Sequence, residues 1–310
     1  MFMRLGLVLA AGLLLSGCEI GDFGPSDRYQ KDFHYTYDVE PDARINLESF
    51  NGSIEIAGWD RNKVEIAGTQ YGSTEELRDA VKIDIHNAPG SIDVRTVRPS
   101  AHWGSMGARF TLHVPNKAVL DRIITSNAAI RVGDVAAATH LKTSNGSIRA
   151  SNVNGDVDAH TSNSSIELES IGGSVTVRTS NGRIHAENVA GACDAETSNG
   201  GITVRLENAP AAPVKLTSSN GPLDLTLTKA PKGDIRMKTS NGGITLRIPA
   251  NSGARLIADT SNSSIHSDFD VAVSGNKHID GAIGGGGPAI DLSTRNGSIR
   301  IARESADSVR

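Results

Sequence analysis

Apolar and polar residues alternate along most of this chain, in short segments separated by turns rich in asparagine and glycine. Ile148 and Ala150 are apolar with Arg149 between them, and the same alternation returns from Val157. A period of two is typical of β-strands that bury one face. The pattern therefore predicts two short strands in each repeating segment.

One motif, Thr-Ser-Asn-Gly-Ser-Ile at residues 143–148, recurs with small variations along the chain, and an aliphatic residue follows each motif asparagine by three positions. Repetition of this kind is the signature of architectures in which each unit stacks on its neighbours. The motif asparagines are Asn51, Asn127, Asn145, Asn163, Asn181, Asn199, Asn220, Asn241, Asn262 and Asn296.

Two arrangements fit such units: an antiparallel meander, for which Asn-Gly is a hairpin signal, and a parallel β-solenoid. The motif threonines are 18 residues apart from Thr125 to Thr197, and the next three units are 21 residues long. A rung that lengthens leaves backbone groups unpaired unless its neighbours lengthen at the same place. We therefore expect an all-β parallel β-solenoid with two short strands per 18–21-residue rung. The added residues should extend one strand and place Leu206, Leu227 and Ile248 inward.

Equivalent residues of a parallel stack lie about 4.8 Å apart, so identical side chains can form ladders. Asparagine amides stacked in this way can hydrogen-bond from rung to rung, and the adjacent glycine allows a sharp turn. We predict a structural asparagine ladder with these members: Asn127, Asn145, Asn163, Asn181, Asn199, Asn220, Asn241, Asn262 and Asn296.

The chain departs from the regular repeat before residue 121. Residues 29–120 hold nearly all the aromatic residues that follow residue 28 and include several strand-like runs. We expect irregular rungs that cap the solenoid, with one short helix opened by a capping box at residues 73–76.

A regular solenoid is expected over residues 121–302. A glycine-rich insertion interrupts it at 267–292, and Asn296–Ile301 is expected to form a final rung. Residues 303–310 are expected to form a polar tail.

The composition indicates a core of small aliphatic layers, because only 4% of the 310 residues are aromatic. A formal net charge of −4 gives no electrostatic reason to expect nucleic acid as a partner.

The start of the chain is typical of a lipoprotein signal peptide, expected over residues 1–17. An apolar run ends in Leu15-Ser16-Gly17-Cys18, which resembles the bacterial lipobox, in which the cysteine is acylated. The alternative is an ordinary secretory signal that contains a cysteine. We expect Cys18 to attach the protein to a membrane, followed by a lipid-anchored linker over residues 18–28. By resemblance to the sorting rule of Gram-negative lipoproteins, Glu19 favours the outer membrane.

The second cysteine, Cys193, lies four residues before a motif threonine, where other rungs carry Val157 or Val175. This placement predicts a buried, inert thiol in an aliphatic column. With Cys18 acylated, the remaining chain has no disulfide.

The sequence predicts no metal site, no cofactor and no catalytic residue. Nine histidines lack the spacing of a zinc signature, and the chain has no nucleophile elbow. Some β-helices cleave polysaccharides with acids on adjacent rungs. Here Asp158 and Asp194 are expected two rungs apart, at about 10 Å, near the limit for an inverting pair.

A contact patch is predicted in the loop at residues 98–104, where His102 and Trp103 lie among small and basic residues. Folding of this loop over the end of the solenoid explains it equally well.

Together, Gly58-Trp59-Asp60, Val114-Pro115 and the serial S-N-G-x-I repeats resemble a bacterial envelope family named “putative adhesin”, a domain of unknown function. The resemblance covers roughly residues 40–302. It implies a β-solenoid at the cell surface or in the periplasm, and it supplies no catalytic residues.

These features favour a non-enzymatic, lipid-anchored envelope protein that acts as an adhesin-like binding or scaffolding module. The expected partners are the membrane, and a surface polysaccharide or another envelope protein. The alternative is a β-helical carbohydrate-active enzyme, for which Asp158 and Asp194 are the candidate acids. An inert structural or stress-related envelope protein is a third reading.

Overall fold

A computed structural model of the protein describes residues 27–99, 104–208, 211–271, 273–274 and 276–304. Over these residues the chain forms two long sheets, of 13 and 14 strands, and one short helix. Successive rungs pair in parallel and in register, as Ile148 does with Ile166 and Ile166 with Ile184. The predicted parallel β-solenoid is therefore confirmed, and the antiparallel meander is excluded for the regular rungs.

The strands are numbered in chain order through both sheets. The first sheet contains β1 (Tyr29–Asp38), β3 (Ile54–Trp59), β4 (Lys63–Gly72), β7 (Met106–Pro115), β9 (Ile130–Val135), β11 (Ile148–Val153), β13 (Ile166–Ile171), β15 (Ile184–Val189), β17 (Ile202–Leu206), β19 (Leu223–Leu227), β21 (Ile244–Pro249), β23 (Ile265–Ser267) and β27 (Ile299–Glu304). The second sheet contains β2 (Arg44–Glu48), β5 (Lys82–Ala88), β6 (Ser91–Val97), β8 (Val119–Ile124), β10 (Thr139–Lys142), β12 (Val157–His160), β14 (Val175–Thr179), β16 (Cys193–Thr197), β18 (Val214–Ser218), β20 (Ile235–Lys238), β22 (Ala254–Thr260), β24 (Val273–Ser274), β25 (His278–Ile283) and β26 (Ala289–Thr294).

Each regular rung contributes one strand to each sheet, and the core lies between the sheets. In the rung of β11 and β12, the inward residues Ile148, Ala150, Val157 and Ala159 are all buried. The interior is thus made of aliphatic columns, and hydrophobic burial between the sheets stabilises the stack.

The order of rungs in space differs from the order in the chain at both ends. The rung of β2 and β3 lies between that of β6 and β7 and that of β8 and β9. The rung of β26 and β27 lies between that of β20 and β21 and that of β22 and β23. The segment expected as a final rung is therefore the last in the chain but not the last in the stack.

The segment between β23 and β26 covers one end of the second sheet. Within it, β25 pairs antiparallel with β22, and β24 pairs antiparallel with β25. The turn after β25 has a positive φ at Gly284, Gly286 and Gly287, at 57°, 81° and 154°, so glycine is required there.

The 18-residue rungs contain a bend that the sequence pattern did not reveal. The fifth residue of each of four strands has a left-handed backbone, with φ between 54° and 60°. The bend turns the sixth residue inward, so Val135 and its equivalents are buried. The four bend residues are Asp134, Asn152, Ser170 and Asn188.

The 21-residue rungs lack this bend, and their strands in the first sheet are not longer. The strand β17 has five residues and the strand β15 has six. Because simple alternation already places Leu206 and Leu227 inward, the expectation that the added residues extend a strand is wrong. The added residues lie in the turns that follow β17 and β19.

The motif asparagines form one continuous ladder along the corner of the solenoid. In nine successive hydrogen bonds, the Nδ2 of one asparagine donates to the Oδ1 of the next over 2.7–2.9 Å. At the end of the row, the Nδ2 of Asn51 donates instead to the Met106 carbonyl. The ladder follows the spatial order, since Asn296 lies between Asn241 and Asn262. Asn51 continues it beyond Asn127.

A second ladder is buried directly beneath the asparagines. The hydroxyl of each motif threonine or serine donates to the backbone carbonyl of the motif in the preceding rung, over 2.8–3.3 Å. This carbonyl belongs to the residue after the asparagine, as in the bond from Thr161 to Gly146. A Cβ at Gly146 would lie 1.7 Å from the Ala128 carbonyl oxygen. Glycine therefore serves the close approach of neighbouring rungs, and only Gly52 among the motif glycines has a positive φ.

The N-terminal end is built from antiparallel strands and the helix α1 (Glu75–Ala80). The strand β4 lies between β1 and β7, and β5 pairs with β6. Thr74 caps the helix, because its Oγ1 accepts from the Leu77 amide. The cap is thus one residue later than a capping box at 73–76 requires. No helix among the described residues has the length and apolar character to span a membrane.

The ladder predicts graded losses of stability. Asn181→Ala removes two amide hydrogen bonds, so we expect the free energy of unfolding to fall by about 1–2 kcal/mol. Asn262→Ala removes one ladder bond at the end of the row, and we expect about half that loss. Urea unfolding followed by circular dichroism measures both, and equal losses would contradict an additive ladder.

The left-handed bend predicts that two substitutions of Ser170, where φ is 58°, have different effects on stability. Ser170→Val should destabilise the protein by about 1–2 kcal/mol, because a β-branched residue tolerates the left-handed region poorly. Ser170→Gly should leave stability unchanged or higher. The midpoints of thermal unfolding check this, and a valine variant as stable as the wild type would refute the bend.

Candidate functional site

Three of the predicted site residues lie outside the described residues, as does Glu19. They are Cys18, the expected site of lipid attachment, and His102 and Trp103 of the predicted contact loop. The ladder asparagines lie together on one corner, and their amides hydrogen-bond to one another. Their role in this arrangement is structural.

The two candidate acids of the enzyme alternative are both paired with cationic groups or imidazole. Asp158 on β12 lies 2.7 Å from Nε2 of His160. Asp194 on β16 lies 3.4 Å from Nζ of Lys215 and 3.7 Å from a guanidinium nitrogen of Arg178. The strand β14 lies between the two acids. The face around them is a mixed network of charges, and such networks are typical of solvated surfaces.

Metal binding finds no support in the described part of the chain. No group of three or more His, Cys, Asp or Glu residues there is placed to hold an ion. Five of the histidines instead pair with single acids, as His185 does with Glu187 at 3.1 Å.

Cys193 is buried in the column of β14, β16 and β18, where it lies in register with Val175 and Val214. Burial raises the pKa of its thiol to about 12. The thiolate needed for nucleophilic chemistry is therefore scarce at neutral pH.

The outer face of the first sheet carries a groove of 320 Å³ that crosses four neighbouring strands, β7, β3, β9 and β11. Its floor follows a column of small outward residues, Ala57, Gly133 and Ser151, one on each of three successive rungs. The following rungs carry Glu169 and Glu187 in the same column. The small side chains of this column thus form the floor of the groove. The long side chains of Glu169 and Glu187 close its end beyond β11.

Gly133 is the residue that deepens the floor, and the fold does not require glycine there. A Cβ at this position would be 3.5 Å from Ser151 Oγ, an ordinary contact, and the backbone φ is not positive. By contrast, a Cβ at Gly58 would lie 1.9 Å from a backbone oxygen. A glycine in a strand interior costs stability, so an unforced glycine often marks a close approach by another molecule.

One wall of the groove is a row of charged side chains in the neighbouring outward column. Arg131 lies 3.4 Å from Glu55, and the Arg149 Nε donates to Glu167 over 2.9 Å. The arginine side chains are still about half exposed, at 52% and 60%. The ion pairs hold these planar groups in place, and both hydrogen-bond donors and acceptors face the groove.

The end of the groove towards β7 is closed by a stack of rings. The rings of His113 and Trp59 are nearly parallel, with centroids 5.2 Å apart. The Arg61 guanidinium lies 4.9 Å from the Trp59 centroid, and Trp59 Nε1 donates to the Lys63 carbonyl. These contacts hold Trp59 against His113, which lines this end of the groove.

This groove combines an apolar floor and a polar wall, and it crosses four strands along the axis of the solenoid. Because it is closed at both ends, it can hold a short ligand segment in contact with successive rungs. Sequence reasoning missed it, although Gly133 was visible as an unexpected glycine in a strand where neighbouring rungs carry Ser151 and Glu169.

Comparison with known proteins gives one family match. The family model described as Toastrack DUF4097 matches residues 41–232, more than half of the chain. A search of curated proteins finds no match.

Three solved structures are similar over 88% of this chain. A “putative cell adhesion protein” from Clostridium sporogenes is 13% identical, with 100% of its chain covered and a TM-score of 0.24. A “putative adhesin” from Bacteroides fragilis is 12% identical, with 97% covered and a TM-score of 0.29. A “putative lipid binding protein” from Parabacteroides distasonis is 11% identical, with 97% covered and a TM-score of 0.38.

The buried thiol predicts a defined pH dependence. The folded pKa of Cys193 is about 12 and the ordinary value is 9.0, so folding favours the neutral thiol. Its contribution to stability is complete below pH 9 and is lost as the pH rises through about 12. Cys193→Val should remove this part of the alkaline destabilisation, as measured by denaturation between pH 8 and 12.

A thiol reagent provides the companion measurement. In the native protein at neutral pH, Cys193 should stay unmodified, whereas a cysteine introduced at exposed Thr203 should react. Rapid modification of native Cys193 would contradict its burial.

Proposed function

The chain belongs to the Toastrack DUF4097 family, and we propose that it is a non-enzymatic binding module of the bacterial cell envelope. The proposal rests on the groove of the first sheet, which Gly133 keeps open although the fold does not require glycine there. We propose that this groove binds a short segment of a surface polysaccharide.

The position of the groove favours a glycan over a peptide. Its strands lie in the middle of the first sheet, where their backbone groups are already paired with neighbouring strands. A peptide therefore cannot add itself as a further strand. Recognition must use side chains instead. The paired arginines and glutamates offer fixed donors and acceptors to hydroxyl groups, and the small floor residues leave room for sugar rings.

A lipid anchor at Cys18 would hold this module at the envelope, and Glu19 favours the outer membrane. Asp27, near the start of the described chain, forms an ion pair with Arg109 on β7. This contact supports a tether that leaves the solenoid beside β7. The groove begins on the same strand, so its ligand would bind close to the anchored end of the protein.

The competing function is a carbohydrate-active enzyme that uses Asp158 and Asp194. The position of the acids speaks against it, since β14 lies between them and two rungs span about 10 Å, at the outer limit for an inverting pair. Binding without shortened products separates the two functions.

The groove predicts that Gly133→Leu abolishes glycan binding and leaves the fold intact. The new side chain fills the floor, and replacing a strand glycine should not lower stability. Binding of the lipid-anchored protein in detergent to a glycan array and to isolated cell-wall fragments measures the loss, which we expect to exceed tenfold.

The matched control is Thr203→Leu, which puts the same side chain on the outer face of β17, beyond the groove. It should bind like the wild type. Undiminished binding by Gly133→Leu would refute the groove as the site, and shortened glycan products would refute a purely binding role. Binding to an envelope protein and to no glycan would refute the polysaccharide ligand and indicate a protein partner instead.

A further inference from the structure

The two ends of the solenoid differ in how much strand edge they leave open. At the N-terminal end the edge strands β1 and β5 have ten and seven residues. Among the described residues, each pairs with one strand only, β1 with β4 and β5 with β6. At the other end the edge strands β23 and β24 have three and two residues. Proteins usually shorten or cover such edges, because an open edge pairs with another chain.

A row of aromatic side chains follows the inward face of β1. Phe33 packs edge-to-face on Phe110 with centroids 5.5 Å apart, and Gly68 leaves room for its ring. The rings of Tyr35 and Tyr37 stack farther along the strand, at 6.5 Å. Tyr35 is 41% exposed, among the most exposed of the large hydrophobic residues described. The core thus reaches the end of the stack without being closed there.

The strand β5 presents the matching side of this opening. Ile83 and Ile85 are partly buried and pack against the core from the second sheet. Between the two edge strands lies a groove of 460 Å³. Its rim carries two cations and two acids, Lys31 and Asp32 on β1 and Lys82 and Asp84 on β5. The rim therefore carries charges of both signs, which a second copy can pair across a two-fold axis.

We propose that this end of the solenoid binds a second copy of the chain, in a two-fold, end-to-end dimer. A two-fold axis along the sheet normal brings β1 against β1 of the second copy, in antiparallel orientation. Antiparallel pairing is already the local mode at this end, in β1 with β4. The first sheet then continues across the interface, whereas the second sheet ends one strand earlier, at β5, so the two aromatic rows lie side by side at the joint.

The rim argues for a second copy over a lipid surface. An anionic membrane attracts clusters of cations, whereas here each lysine has an acid beside it on the same strand. An interface with its own copy instead can place lysines opposite aspartates by symmetry. Dimerisation would also place both N-terminal tethers at the joint, since β1 begins two residues after Asp27.

Cysteine cross-linking in the full-length, membrane-bound protein tests the dimer. Single cysteines are introduced one at a time along residues 31–37 of β1. Cys193 is buried and Cys18 is expected to be acylated, so the new thiol is the reactive one. We expect a cross-linked dimer with a sharp maximum at one or two positions, those nearest the two-fold axis. A cysteine at Thr203 should give none.

A charge placed in the aromatic row supplies the second measurement. Tyr35→Lys should abolish the cross-link and give a monomer by analytical ultracentrifugation in detergent. Ile257→Lys is the matched control, because Ile257 is similarly exposed, at 37%, on β22; it should remain a dimer. A monomeric wild type, uniform cross-linking along β1, or a cross-linked product with a different protein would overturn the proposal.

Discussion

The whole structure depends on parallel, in-register stacking, in which each rung satisfies the backbone of the next. At the corner, the buried hydroxyl of one rung bonds to the carbonyl of the preceding rung, and the asparagine amides repeat this link on the surface. The approach is so close that a side chain at most motif glycines would touch the rung beside it. This constraint explains why one motif recurs along the chain, and why a rung without disulfides or a large aromatic core is stable in the stack.

Stacking of this kind leaves the two ends as the weak points, and the chain protects them by its order. The first rung, β2 with β3, and the last, β26 with β27, each lie between two other rungs. Neither terminal rung can therefore fray on its own. The outermost strands are antiparallel at the N-terminal end and very short at the other. The long edge of β1 is the exception, and the proposed dimer gives it a partner. The groove at Gly133 is separate from this edge and uses only side chains.

Much of this architecture follows from the sequence, because identical residues at fixed spacing must occupy equivalent places. The parallel solenoid and the inward place of Cys193 among valines follow from that regularity. The position of β26 and β27 in the stack could not be predicted in this way. Equivalent rungs have similar sequences, so the pattern does not indicate which two rungs are neighbours. The bend at Asp134, Asn152 and Ser170 was visible as small polar residues at the fifth strand position, yet alternation alone suggested a straight strand. The groove depends on the absence of a side chain at Gly133, which no motif marks. Cys18, His102 and Trp103 stay predictions.

The most direct test of the stacking order uses disulfides between outward residues of three strands. Thr245 on β21 is in register with Arg300 on β27, and Arg300 with His266 on β23. Adjacent rungs are about 4.8 Å apart, within disulfide range, whereas two rungs span about 10 Å, beyond it. Paired cysteines at 245 and 300, and at 300 and 266, should form disulfides readily, and a pair at 245 and 266 should not. Efficient bridging of 245 to 266 would mean that the rungs follow chain order, and it would contradict the intercalated stack.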